Sequence, residues 1–219
     1  MTSDRPELQD AARRAGHVMQ TPAFFDAVPS IVVVDALAET LGAAAGGVIE
    51  YRYLDAVKLT GHSCPTVAGA YLMTRAALAR LYPETLPRRG EVRVELRQAL
   101  DDGVAGVIAS VAGLVTGAAN EGGFKGLGGR YARHGLLRFG VPMDGEIRYT
   151  RLDSGQAVEL VHRPQDVPRP ATLVATMQQA LQPGADAAAR QAFADDWQGW
   201  VRTILVEHAD DPALITVVS

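Results

Sequence analysis

Residues 146–163, EIRYTRLDSGQAVELVHR, decide the fold. Two strand-like runs, 146–152 and 156–163, flank Asp153-Ser154-Gly155, a three-residue turn of the kind that closes a β-hairpin. Hairpin-linked strands run antiparallel, which favours α+β over a doubly wound parallel sheet. The expected class is therefore α+β: a mixed or antiparallel sheet packed with helices, plus a C-terminal helical extension.

Working outward, strands are expected at "GEVRVELR" (90–97) and "LLRFGV" (136–141). Between them lies an apolar helix, "GVAGVIASVAGLVTGAA", with Asp101 or Asp102 placed to cap it. A glycine-dense loop, "NEGGFKGLGGRYARHG", follows that helix. Upstream, Pro65 to Leu81 reads as a helix that Pro83 stops, and "GGVIEYRYLDAVKL" begins with strand alternation. "SIVVVDALAETLG" reads as a short strand running into a helix ended by Gly42, and residues 5–20 as an amphipathic helix. Downstream come two helices, about 170–182 and 185–207, and a final strand in "LITVVS". The division expected is an N-terminal extension (1–47), a core (48–165) and a C-terminal extension (166–219) packed on the core as one compact domain.

The chain has 219 residues, 47% hydrophobic, with a formal net charge of −4. That length buries a sizeable core, and the acidic balance offers nothing to nucleic acid. No apolar run is long enough to span a bilayer, and the first residues lack the apolar segment of a secretory signal. A single cysteine, Cys64, excludes an internal disulfide, so a reducing cytoplasm is the expected location.

Cys64 stands in "KLTGHSCPTVAGAYL" (58–72). Pro65 suits the first helical position, which makes Cys64 the N-cap or its neighbour, where the positive end of the helix dipole favours thiolate. His62, two residues earlier in extended chain, can project to the same side. Thiolate plus imidazole is half of a zinc-type site, and equally an activated thiol with a basic neighbour. Zinc suits this donor pair first; nickel, iron, copper or a haem are further candidates.

Gly61-His62-Ser63-Cys64-Pro65, followed by Gly69, Ala70 and Tyr71, resembles the signature of the FmdE-like family of formylmethanofuran dehydrogenase subunits. Thr116, Gly117 and Lys125 match that family's second block, and the resemblance spans roughly residues 48–163. It is to the family's core domain without the C-terminal zinc ribbon, since the tail here has no cysteine. The resemblance implies an α+β core that holds a transition metal through His62 and Cys64, and a homodimer with its sites near the interface.

Two protein ligands are too few for tight binding. His134, in the family-like second block, is the first choice for a third, with Glu95, Asp101 and Asp102 as acid candidates. His17, His162 and His208 read as surface residues. Lys125 is the candidate to bind an anionic substrate or stabilise developing negative charge beside Cys64. The loop around it lacks the ending of a phosphate-binding P-loop. Its glycines, with Lys125, Arg130 and Arg133, suit an anion held on main-chain N–H groups, or a flexible lid. The bare stripes Gly106, Ser110, Gly113, Gly117 and Thr66, Gly69, Ala70, Ala77 suit close packing or a ligand. The function expected is transition-metal binding, with or without catalysis. The alternatives are a metal-free thiol protein using Cys64 as nucleophile, and a haem-binding or partner-binding module whose tail helices carry Phe193, Trp197 and Trp200.

Overall fold

A computed structural model describes residues 19–218. The helix expected at 5–20 lies outside the described residues save for its last two positions, and His17 lies outside them. The fold is α+β. A two-stranded antiparallel sheet pairs β1 (Ile31–Val34) with β2 (Val48–Tyr51). A five-stranded sheet has the order β4-β3-β5-β6-β7, with β3 (Val92–Leu96), β4 (Leu137–Arg138), β5 (Ile147–Arg151), β6 (Ala157–His162) and β7 (Ile215–Val217). Its β3–β4 pair is parallel and the rest are antiparallel.

The hairpin forms where the turn signal places it. Ile147 faces Leu160 and Thr150 faces Ala157, and Gly155 closes the turn at φ +73°. Val94, Tyr149, Val158 and Leu160 share one face of the sheet and are buried. Helix α3 (Pro65–Leu81) lies on that face, with Thr74 Oγ1 2.8 Å from the buried Tyr149 hydroxyl. The opposite face carries Glu95, Arg148 and Glu159 in cross-strand register.

Among the described residues, five more α-helices complete the fold. Short α1 (Ala36–Thr40) is capped by Asp35, and α2 (Tyr53–Thr60) ends at Gly61, which sits in the left-handed region at φ 77°. Apolar α4 (Ala105–Thr116) packs on α3 and ends at Gly117, again left-handed. Residues 166–218 add α5 (Leu173–Ala180), α6 (Ala187–Arg202), a π-helical turn (Thr203–Glu207) and then β7. Val201, Ile204 and Leu205 are fully buried, with Trp197 and Trp200 half-buried against the same core. That part of the tail's apolar face packs on the core, while Val174 of α5 and Leu181 at its end stay exposed.

Three local expectations need correction. Asp101 and Asp102 do not cap α4: Val104 occupies the cap position and makes no side-chain capping bond. The strand expected at 136–141 shrinks to Leu137–Arg138, because Gly140 turns to φ +67° and breaks the ladder, although the Val141 N–H still donates to the Leu96 carbonyl at 3.0 Å. The alternation of "VIEYRY" runs into helix at Tyr53, since the Asp55 carboxylate accepts the Arg52 N–H at 2.8 Å and closes the first turn.

Candidate functional site

The turn between α2 and α3 holds His62, Ser63 and Cys64. Gly61 ends α2, and Pro65 starts α3 at the position where its missing N–H costs nothing. Cys64 is the N-cap, extended at φ −152°, and its Sγ accepts the Val67 N–H at 3.4 Å. The thiol is half-buried against the core.

His62 is exposed, and its Nδ1 lies 3.0 Å from the Thr60 carbonyl. A carbonyl can only accept, so Nδ1 carries a proton, and in the neutral ring the lone pair is on Nε2.

Ser63, which no sequence signal marked, is the most heavily bonded residue of the turn. Its carbonyl accepts from Trp197 Nε1 at 2.9 Å and Gln198 Nε2 at 3.2 Å. Its hydroxyl donates to Gln198 Oε1 at 3.0 Å and lies 3.0 Å from the buried Tyr53 hydroxyl. The Trp197 face thus docks on the backbone between His62 and Cys64. Of the tail aromatics that the sequence offered to a partner, Trp197 donates its indole N–H to this turn.

The other candidates scatter. Glu95 projects from the sheet face opposite α3 and pairs with Arg93 at 3.3 Å and Arg148 at 3.7 Å. Asp101 and Asp102 are exposed in the turn before α4. His134 is exposed in the glycine loop and bonds through its main chain to Phe124. Lys125 is exposed on the same loop and makes no salt bridge among the described residues. Among the described residues, no three His, Cys, Asp or Glu side chains gather as a metal-ligand group. His208 is half-buried, with Nδ1 2.8 Å from Asp211 Oδ2.

His162 corrects the surface expectation. Its ring packs on Gly69 of α3, its Nε2 is out of solvent without a partner, and burial pushes its pKa down to about 4. The signal was Gly69 itself: the bare position serves an imidazole from β6.

In comparison with known proteins, the chain matches no family model and no curated sequence. Among the described residues, no helix is long and apolar enough to cross a membrane.

Proposed function

We propose that this chain is a transition-metal-binding protein whose own donors are His62 Nε2 and Cys64 Sγ. The observation that carries the reading is the His62 Nδ1 contact with the Thr60 carbonyl. Metal-binding histidines commonly give their second nitrogen to such an acceptor, which fixes the ring and directs Nε2 at the metal. Imidazole and thiolate together suit zinc first. The fit is to two of four positions, so the remaining donors come from outside this set: a second copy of the chain, a bound small molecule or water. A homodimer with the site at its interface, as the resemblance to the FmdE-like family implies, would supply them. A bound metal would contribute Lewis acidity, while the chain's residues hold it and orient the imidazole.

Elemental analysis of purified protein tests this. The expectation is about one metal per chain, lost in the double variant His62→Ala, Cys64→Ser. Metal retained by that variant sinks the assignment, and light scattering of the metal-loaded protein reads the dimer.

A second reading is favoured by the Val67 N–H donated to Cys64 Sγ, the arrangement of a thiol activated at a helix start. On that reading Cys64 is a metal-free nucleophile. It should react with iodoacetamide faster than a small free thiol at neutral pH, with the rate unchanged by chelator.

A further inference from the structure

A second built region shares no lining residue with His62 or Cys64. Asp35, directly after β1, is only 2% exposed. Its Oδ1 accepts the Leu37 and Ala38 N–H groups and also Arg133 Nη2 at 2.7 Å, while Oδ2 accepts Arg89 Nη1 at 2.9 Å. Burial alone would raise the Asp35 pKa, but the Arg89 hydrogen bond leads the interactions that hold it below the usual value. The carboxylate is ionised between two guanidinium groups.

Room for both arginines is made by glycine. Gly90 sits at φ +86°, and a β-carbon there would fall 1.2 Å from Arg133 Nη1; one at Gly117 would fall 3.1 Å from the same atom. Arg133 is buried, with its side chain 8% exposed, and neither Nε nor Nη1 has an acceptor. Beside it opens a cavity of about 230 Å³ walled by Arg89, Gly90, Glu91, Tyr131 and Arg133. Tyr131 is the single non-glycine residue at positive φ (64°) among the described residues, held with its hydroxyl 2.9 Å from Thr40 Oγ1. A tyrosine in that region is costly, and such strain collects at binding walls.

The charge count gives the ligand class. Glu91 is matched by Arg88 at 3.4 Å. Arg89 and Arg133 against Asp35 leave one positive charge, together with buried donors that lack acceptors. Buried polar groups are ordinarily satisfied, and guanidinium is the group of choice for planar oxyanions. The volume lies below the roughly 300–1,000 Å³ of clefts for drug-sized ligands, so the ligand is small. We propose that this cavity binds a small oxyanion, a carboxylate or phosphate group, on Arg133 with Arg89 beside it. The single net charge favours a monocarboxylate. Of the loop cations Lys125, Arg130 and Arg133, only Arg133 reaches the cavity; Arg130 instead lies over the Tyr131 ring at 4.8 Å.

Calorimetric titration of the full chain at low ionic strength tests it, with sodium acetate and sodium phosphate as probes and sodium chloride as control. Acetate or phosphate should saturate one site per chain, and chloride should not. Saturation by acetate alone identifies a carboxylate ligand, and by phosphate alone a phosphoryl one. Glu91→Gln, at a half-exposed position, should fold normally and tighten binding about threefold, because it leaves Arg88 unmatched and raises the local net positive charge by one. Arg133→Lys keeps the charge but not the guanidinium fork and should weaken binding about tenfold or more. The proposal is overturned if neither anion exceeds the chloride control, or if Glu91→Gln leaves the affinity unchanged. The second criterion stands even if Arg133→Lys does not fold.

Discussion

His162 of β6 presses its imidazole against Gly69 of α3 so closely that a β-carbon at residue 69 would lie 2.1 Å from Nδ1. Gly69→Ala therefore forces the ring out of place. Overpacking of this kind costs about 1–3 kcal/mol, against a helix-propensity gain of up to about 1 kcal/mol. A net loss of stability is expected in urea unfolding. Adding His162→Ala to Gly69→Ala should recover part of it, and a strictly additive double variant would show that the two residues do not touch.

The same burial makes stability depend on pH. The His162 pKa falls from 6.5 to about 4, so the native state resists a proton that the unfolded chain accepts. Its cost is absent above about pH 6.5, grows as pH falls, and stops growing near pH 4. The expected loss is on the order of 3 kcal/mol. Glu146, whose Oε2 accepts the main-chain N–H of His162 at 3.3 Å, opposes it: burial holds that carboxyl above its usual range, so it takes up a proton natively first. His162→Leu should flatten the wild-type stability profile between pH 6.5 and 4.5; an unchanged slope would place the acid sensitivity elsewhere.

Trp197 and Gln198 clamp the Ser63 carbonyl. The double change Trp197→Phe, Gln198→Ala leaves that acceptor without its two donors and should cost about 1–3 kcal/mol. Alkylation of Cys64 should accelerate in the variant under native conditions. An unaltered alkylation rate would mean that the tail helix does not restrict the thiol.

Asp35 is the hub of the arginine pair. Asp35→Ala strands buried Arg133 beside Arg89, and removal of one partner from a buried ion pair costs about 3–5 kcal/mol. With its pKa below 3.8, the carboxylate contributes stability at neutral pH, lost as pH falls through the lowered value. Asp35→Asn should lose most of the same stability and abolish that last acid limb. A cost under about 1 kcal/mol would show the network to be marginal.

What the sequence revealed was set by local rules. Pro65 and Pro83 bracket α3, and Asp153-Ser154-Gly155 closes the hairpin, because turn and helix-start chemistry acts over a few residues. The start of α2 was hidden because Tyr51 and Tyr53 continue a strand-like alternation, and only the Asp55 contact to the Arg52 N–H turns the chain. His62 and Cys64 were visible as a short motif at a helix start. The Asp35–Arg89–Arg133 cluster was not, for its members lie on three segments that only the folded chain brings together. Arg133 stood out in sequence merely as one more cation of a glycine loop. Ser63 was invisible for the same reason: its partners sit on a helix far along the chain.

The sheet order has a bearing on assembly. β7 pairs with β6, yet α5 and α6 intervene between them in sequence. Chain emerging from the ribosome can form the β5–β6 hairpin early, because that contact is local. Until β7 docks, the outer edge of β6 stays unpaired, and an unpaired edge accepts strands from other chains. The Gly61–Pro65 turn waits for α6 over the same interval. Nascent chains are thus open at an edge and at a thiol together, and closing both is a late, non-local event, slow by the rule that distant contacts form slowly.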